Sequence, residues 1–443
     1  MSKTIANALA LFLLIFTIST CNAPRPVSMF KGNPEHTGIF QTEPLTKFNE
    51  VRWKVKTGGY VFSSPVIAGD WLYEGSNDSC LYAIDKNTGR LGWKFRTGGA
   101  VTSTPAVAGG KVYLVSFDGK MYALDALSGK KIWEFDGGPE KYYTAPGIHG
   151  LQPRDSLMED TWDMYLSSPV VSGGKVYFGS GNGNFYCLDA GKGNMIWKFQ
   201  TNGVIHDSPA VYDGKVYFGG WDTYLHALDA ETGTEIWKFR SGTDTTYHNQ
   251  TGIQSSPMIY DSMVFFGCRD ANLYVLDAAT GNLIWKKFNN YSWIINTPVV
   301  RDSIVYYGTS DTHMLIGLDA YNGDSVLTFD LNSYIFSSPV IAGDYLYVGD
   351  FSGTVFGIDV NAKKIVWKFR TPASVENRDN LLLPTGENNN QGAAVFFESG
   401  PNYANNMKFM KALYRLGSVL TTPAVDNGIL YFGSSDGYIY ALH

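Results

Sequence analysis

The residues best suited to chemistry are a histidine beside a carboxylate, followed about forty residues later by a tyrosine and a second histidine. His206 and Asp207 precede a Ser-Pro pair, and Tyr247 and His248 lie in the next long loop. An imidazole with one carboxylate is a metal-ligating or acid-base pair in some proteins and a structural ion pair in most. No spacing predicts a complete metal site or a nucleophile-histidine-acid set. We therefore assign no catalytic residue and no metal, and keep these four residues as candidates for binding.

A second set of carboxylates recurs at fixed offsets. Asp85 opens a five-residue segment that ends at Gly89, four residues before Trp93. An Asp side chain accepts hydrogen bonds from backbone N–H groups two residues on, and Gly supplies a positive φ. Because catalysis needs one special site whereas these acids repeat, we interpret them as turn residues. The tryptophans that follow are predicted to dock neighbouring units against each other: Trp53, Trp93, Trp133, Trp197, Trp237, Trp285 and Trp367.

Two units depart from this pattern. The sixth has Leu327 where the tryptophan belongs, and the seventh has Lys363 where the glycine belongs. We expect the packing to be looser there.

These residues sit in a repeat of about forty residues. A Ser/Thr-Pro pair opens each of eight units, with prolines at 65, 105, 169, 209, 257, 298, 339 and 423. Each unit divides into four short runs rich in Val, Tyr, Phe and Ile, separated by Gly, Asn and Asp clusters, which indicates four strands joined by hairpin turns. Self-similarity at this period predicts a solenoid or a propeller.

The ends of the chain favour the closed form. The eighth unit stops at His443 before its tryptophan strand, whereas residues 51–58 supply such a strand without a preceding turn. Together the two fragments make one complete unit, and closure protects sheet edges. We predict an all-β fold, a single eight-bladed β-propeller over residues 51–443, in which the N-terminal outer strand completes the last blade.

The N-terminus has the features of an export signal. Lys3 precedes the apolar run from Ala8 to Ile18, which is too short to span a bilayer. The following Ser19, Thr20 and Cys21 resemble the bacterial lipobox, although Thr20 is larger than the usual residue, so cleavage without lipidation stays an alternative. We predict a signal peptide over 1–20, lipidation at Cys21 and a linker over 21–50. Asn22 and the absence of an acidic run after it favour an outer-membrane anchor facing the periplasm.

Composition narrows the classes of partner. The 443 residues carry a formal net charge of −6 without a long basic run, so no footprint for nucleic acid is present. Cys80, Cys187 and Cys268 lie among strand-forming residues and show no metal-site spacing, so we interpret them as buried apolar residues. We expect a monomeric propeller.

The repeat resembles a known family. The pattern of Ser/Thr-Pro, then VYFG, then ALDAETGTEIW resembles the pyrroloquinoline-quinone (PQQ) type of propeller repeat, and Phe30 to Gly38 (FKGNPEHTG) is similar to the N-terminal signature of many members. The family includes quinoprotein dehydrogenases, which bind PQQ and calcium, and non-enzymatic lipoproteins of the BamB type. This sequence lacks the dehydrogenases' adjacent cysteine pair and haem motif. The resemblance therefore implies a lipid-anchored scaffold for envelope proteins without a cofactor, with a quinoprotein dehydrogenase or a ligand- or glycan-binding module as alternatives.

Long connections mark one candidate binding face. Residues 137–162, 242–252 and 372–416 all join the outer strand of one blade to the inner strand of the next. Such connections emerge on the same side of a propeller, and loops of this length are usually functional or disordered. We place the binding face on this side, with His149 and Trp162 of the first insertion added to the four candidates above.

Overall fold

The ring closes as the repeat predicts. The computed structural model describes residues 27–443, so the expected signal peptide and lipidation at Cys21 lie outside the described residues. Eight antiparallel sheets, each with four strands of one blade, surround a central axis, and one further strand joins blade 7. Strand Val51–Lys56 pairs with Tyr438–Leu442, with Trp53 opposite Ala441. The prediction of an eight-bladed propeller closed by an N-terminal outer strand is confirmed.

Strand bounds follow the repeat, and in each blade the strands run in order from the innermost to the outermost. Blade 1 contains Val66–Ala68, Trp71–Ser76, Cys80–Asp85 and Leu91–Arg96; blade 2 contains Ala106–Ala108, Lys111–Val115, Lys120–Asp125 and Lys131–Asp136; blade 3 contains Val170–Ser172, Lys175–Gly179, Asn184–Asp189 and Met195–Gln200; blade 4 contains Ala210–Tyr212, Lys215–Gly219, Tyr224–Asp229 and Glu235–Arg240. Blade 5 contains Met258–Tyr260, Met263–Gly267, Asn272–Asp277 and Leu283–Phe288; blade 6 contains Val299–Arg301, Ile304–Gly308, Met314–Asp319 and Ser325–Asp330; blade 7 contains Val340–Ala342, Tyr345–Gly349, Thr354–Asp359 and Lys364–Arg370; blade 8 contains Ala424–Asp426, Ile429–Gly433, Tyr438–Leu442 and Val51–Lys56.

The remaining elements lie outside the blades. They are the strands Ile39–Phe40, Thr144–Pro146 and Leu157–Glu159, the helices α1 (Pro372–Glu376), α2 (Asn390–Ala394) and α3 (Tyr403–Arg415), and the 3-10 turns Phe30–Gly32, Ile148–Gly150 and Val395–Phe397.

The disc has two faces of different character. One, the plain face, carries the short turns between the first and second and between the third and fourth strands of each blade, which hydrogen-bond to each other, as Lys86 N–H does to the Asp70 carbonyl. The other, the looped face, carries the turns between the second and third strands and all connections between blades, which are joined by bonds such as Asn77 N–H to the Tyr60 carbonyl.

Tryptophans of the outer strands bind the turn of the following blade. Trp133 of blade 2 donates from Nε1 to the Ala190 carbonyl of blade 3. Its indole covers Gly193 so closely that a Cβ added to this glycine would lie 2.6 Å from the ring. Tyr113 of blade 2 donates to the same carbonyl. The glycine is thus required twice, for its positive φ and for the ring above it. Equivalent bonds join Trp53 to Lys86, Trp93 to Ala126, Trp197 to Ala230, Trp237 to Ala278 and Trp285 to Ala320.

The two irregular units share a single interface. Blade 6 presents Leu327, and the blade 7 turn that would receive a tryptophan is the one with Lys363 at the glycine position. Without an indole ring above it, that position accepts a side chain, and Lys363 keeps the positive φ of 51°. At the next interface, no turn joins the third strand of blade 8 (Tyr438–Leu442) to its fourth (Val51–Lys56). The Leu45 carbonyl of the N-terminal segment therefore accepts the indole N–H of Trp367 instead.

Hydroxyl groups join the blades around the axis. The N–H of the Ser or Thr before a proline donates to the equivalent hydroxyl of the next blade, as Thr104 does to Ser168 at 2.9 Å. Six of the eight interfaces have this bond, including the closing one, from Thr422 N–H to the Ser64 hydroxyl. The Ser/Thr-Pro pairs of the repeat therefore hold the ring together at its centre.

Residues 28–43 form a plug that covers the axis on the plain face. Their backbone bonds the innermost strands of several blades in turn, from Ser28 with Val107 of blade 2 to Gly38 with Ile341 of blade 7. Phe30 lines the axial cavity, and Nζ of the buried Lys31 donates to the Thr297 and Pro298 carbonyls at 2.9 and 2.5 Å. The FKGNPEHTG signature is thus a compact structure that closes one end of the ring.

Candidate functional site

The three insertions meet on the looped face and form one surface, which we call the platform (residues 137–162, 242–252 and 372–416). The first insertion bonds the third through Gln152 N–H and the Pro401 carbonyl at 2.8 Å. It also contacts the second, because the Arg154 guanidinium lies 4.5 Å from the Tyr247 ring centre. Loops that are separate in sequence therefore make a continuous platform with a fixed shape.

The platform also covers the mouth of the channel. Trp162 at the end of the first insertion packs with Trp293, Phe336 and Phe351 at ring-centre distances of 5.6 to 6.1 Å. Helix α3 adds Tyr414, which lies 5.0 Å from Phe62. These side chains belong to one buried apolar cluster at the axis. Side chains fill the centre of the mouth, and a cavity of about 280 Å³ lies beside them, between the first insertion and α3.

A buried arginine ties the first insertion to the ring. Arg269 of blade 5 has no solvent exposure and binds Asp160 at 2.5 Å. Its guanidinium lies between two indole rings, 4.3 Å from Trp221 and 4.4 Å from Trp293, an arrangement of cation–π contacts. Although burial raises the pKa of Asp160, Arg269, His149 and the Trp162 N–H together outweigh it and keep the pKa well below its usual value. The ion pair is therefore permanent at neutral pH.

His206 holds the same insertion at a second point. Its Nδ1 lies 2.7 Å from Asp163 and its Nε2 3.6 Å from Glu140, and all three side chains are buried. Burial lowers the pKa of His206, but the two carboxylates outweigh it and raise the pKa to about 10. The imidazole is therefore charged at neutral pH, in an ion-paired cluster that fixes the insertion against blade 4.

Asp207 occupies a position that other blades give to neutral side chains. It accepts the Gly219 N–H at 2.6 Å, as Ser167 and Asn296 accept the equivalent N–H groups in blades 3 and 6. Burial raises the pKa of Asp207 well above its usual value. Its place in the structure is at the junction between strands.

The structure brings together only part of the residues selected from sequence. His149, Trp162 and His206 lie along the contact between the first insertion and the ring, where His149 binds Asp160 at 2.9 Å. Tyr247 is 47% exposed on the platform. His248 lies half-buried beside it in the second insertion, and no contact joins either of these two to His206 in the described structure.

Sequence reasoning missed the residues with the strongest electrostatics. Asp160 and Asp163 lie in an insertion, and Arg269 occupies a turn position that other blades give to uncharged residues such as Phe117 and Trp221. Asp160 lies 109 residues before its partner Arg269. The one signal was an arginine between Cys268 and Asp270 in a turn after an apolar strand.

Two further findings concern metals and membranes. Among residues 27–443, no group of three His, Cys, Asp or Glu side chains is arranged to hold a metal ion. Within the same residues, no helix has both the length and the apolar character needed to cross a bilayer.

The fold and its interfaces define an eight-bladed propeller built from PQQ-type blades, and the comparison with known families agrees. The profile of the outer membrane protein assembly factor BamB matches residues 46–146, 150–369 and 222–443. The chain therefore belongs to the BamB family of PQQ-type propellers. No curated protein matches the sequence.

Solved structures share the fold at low identity. BamB from Moraxella catarrhalis is 18% identical, with a TM-score of 0.61 over 89% of this chain and 97% of that one. A europium-containing methanol dehydrogenase is 15% identical, with a TM-score of 0.67 over 95% and 98% of the two chains. The quinohemoprotein alcohol dehydrogenase from Comamonas testosteroni is 14% identical, with a TM-score of 0.68 over 95% and 81%. At these identities the likeness shows the fold alone.

The axis of this propeller does not fit a quinone cofactor. The cavity between the plug and the platform measures about 50 Å³, whereas pockets for molecules of cofactor size hold roughly 300–1,000 Å³. Trp162 and its aromatic neighbours lie above it, and the larger cavity of about 280 Å³ lies to the side, between the first insertion and α3.

Proposed function

We propose that the protein is a non-enzymatic scaffold, anchored to the outer membrane by a lipid on Cys21, that binds envelope protein partners through the platform. The observation that carries this proposal is that the three insertions form one continuous surface. Two buried ionic contacts, Arg269 with Asp160 and His206 with Asp163, hold the first insertion to the ring. A surface of fixed shape loses little conformational entropy when it binds.

The exposed side chains of the platform suit protein binding. Large apolar residues project from all three insertions, with exposed fractions of 69% for Leu157, 47% for Tyr247, 66% for Val375 and 61% for Val395. Apolar and aromatic anchors contribute most of the binding energy in protein interfaces. Membership of the BamB family supports partners that take part in outer membrane protein assembly.

The test compares matched substitutions on the two faces. Leu157→Ser and Val395→Ser remove exposed anchors from the platform, whereas Leu127→Ser and Tyr321→Ser remove exposed apolar residues, 75% and 46% exposed, from turns of the plain face. Cells carrying the platform variants should contain less folded outer-membrane β-barrel protein, and partner cross-linking should fall. The plain-face variants should behave as wild type in both measurements.

Two results would contradict the scaffold proposal. One is an equal effect of the platform and plain-face variants at equal protein levels. The other is turnover: purified protein supplied with pyrroloquinoline quinone, calcium, alcohols or sugars and an artificial electron acceptor should reduce none of the acceptor. Sustained quinone-dependent reduction would replace the scaffold with a dehydrogenase.

A further inference from the structure

We infer that the propeller is oriented on the membrane, with its plain face toward the lipid surface and the platform turned away from it. This inference rests on the proposed lipid anchor at Cys21 and adds the direction in which the binding face points. It comes from where the described chain begins and from how far the remaining residues can reach.

The described chain begins at the centre of the plain face. Ser28 bonds Val107 on the innermost strand of blade 2, and Val27 beside it is 57% exposed. Further along, Glu43 and Thr42 bond the turn at Asn427 and Gly428, which belongs to the plain face of blade 8. The chain therefore enters the ring from the plain face, near the axis.

The reach of the anchor follows from the sequence. Six residue steps separate Cys21 from Val27. At about 3.3–3.6 Å for each step, the Cys21 Cα lies within roughly 20 Å of Val27, even for a fully extended chain. A lipid on Cys21 therefore keeps the centre of the plain face within about 20 Å of the bilayer surface.

The opposite orientation needs a longer connection. The route through the axis is closed by the plug and the aromatic side chains beneath the platform. The route around the rim crosses three strand spacings of about 4.8 Å and then the height of a six-residue strand, about 20 Å, for a total of roughly 35 Å. Since this exceeds the reach of about 20 Å, the platform cannot face the membrane.

The plug holds the start of the described chain at the centre of the plain face. It bonds the innermost strands of blades 2, 4, 5 and 7 and, through Lys31, the start of blade 6. The point from which the reach of about 20 Å is measured is therefore fixed to the ring at several positions near its axis.

The experiment measures the distance of each face from the lipid. Single cysteines are introduced on the plain face at Leu127 and Asp302, which lie in blades 2 and 6 on opposite sides of the ring, and on the platform at Leu157 and Val395. All four positions are well exposed, and the native Cys80, Cys187 and Cys268 are buried and free. Each variant is purified as the lipidated full chain, labelled with a fluorophore and reconstituted in phosphatidylethanolamine and phosphatidylglycerol vesicles that carry a nitroxide on the headgroup.

We expect quenching at Leu127→Cys and Asp302→Cys to be at least threefold stronger than at Leu157→Cys and Val395→Cys. Equal quenching on the two faces, stronger quenching on the platform, or quenching on one side of the ring only would overturn the orientation while leaving the anchor intact. Failure of the wild-type chain to bind vesicles would overturn the anchor itself, and with it both proposals. A Cys21→Ala variant of each labelled chain should show no quenching at any position.

Discussion

The contact between Trp53 and Gly89 closes the ring, and its removal gives the sharpest test of the fold. Trp53 of blade 8 is 9% exposed and donates to the Lys86 carbonyl of blade 1 at 2.9 Å. Truncation of a buried tryptophan to alanine costs about 3–5 kcal/mol. We expect a value near the lower end for Trp53→Ala, because the Lys86 carbonyl keeps its bond from Tyr431 and the rim admits water.

Gly89→Ala disturbs the same contact from the other side. An added Cβ would stand 2.9 Å from the indole, and the backbone φ of 73° already disfavours a side chain. Overpacking of this kind costs about 1–3 kcal/mol, and the positive φ adds about 1 kcal/mol. In the double variant the indole is gone, so Gly89→Ala adds only the cost of its positive φ to the loss caused by Trp53→Ala. The double variant should therefore lose about 1–3 kcal/mol less than the sum of the two single losses.

The assay is urea unfolding at pH 7, followed by circular dichroism, for the wild type, both single variants and the double variant. Lys363→Ala is the internal control, because that turn already carries a side chain at the glycine position and faces Leu327 instead of a tryptophan; its stability should change by less than about 0.5 kcal/mol. Additive losses within about 0.5 kcal/mol, or a Trp53→Ala variant as stable as the wild type, would refute the docking of indole on glycine at the closing interface.

Three further outcomes are expected from buried groups. Asp163 and Glu140 outweigh burial and raise the pKa of His206 from 6.5 to about 10. The charged imidazole therefore stabilises the fold fully below pH 6.5, and this stabilisation is lost as pH rises toward 10. The melting temperature of His206→Gln should not show that decline. Burial raises the pKa of Asp350 from 3.8 to about 6, so its ionisation costs stability as pH rises from 4 through 6, and Asp350→Asn should melt at the same or a higher temperature than wild type at pH 7 but gain nothing at pH 3.5. Lys31→Met leaves the Thr297 and Pro298 carbonyls without their donor at a cost of about 1–3 kcal/mol, so limited proteolysis should release the N-terminal segment sooner than in wild type while the blades stay protected.

Much of the fold follows from local patterns in the chain. A blade is a run of about forty residues whose turns, strands and docking tryptophan lie in order, so the period of the Ser/Thr-Pro pairs and the Asp85-to-Gly89 type of turn are enough to predict four-stranded blades. Ring closure was also predictable, because Trp53 lacked a turn before it and the chain ended at His443 before a tryptophan strand. Both facts are visible without coordinates.

The meaning of the exceptions depended on tertiary structure. Leu327 and Lys363 look like two separate defects in the sequence, yet they belong to one interface: Leu327 stands at the tryptophan position of blade 6, and Lys363 at the glycine position of the blade 7 turn that would receive the indole. The repeat identifies the residues of each blade, whereas the tryptophan of each blade packs against a turn of the next blade. The partner of a tryptophan is therefore found one unit further along, and only the assembled ring shows it.

The three insertions could be placed on one face from the sequence, but the contacts that build the candidate site could not. Charges such as Arg269 and Asp160 pair across 109 residues, and Lys31 reaches Thr297 across 266. No period relates such residues, because the insertions and the N-terminal segment occur once each and fold against whatever surface the ring presents. Local sequence therefore determined the blades and the closure of the ring, whereas the platform, the plug and the buried charges that fix them were decided by contacts that exist only once the ring has formed.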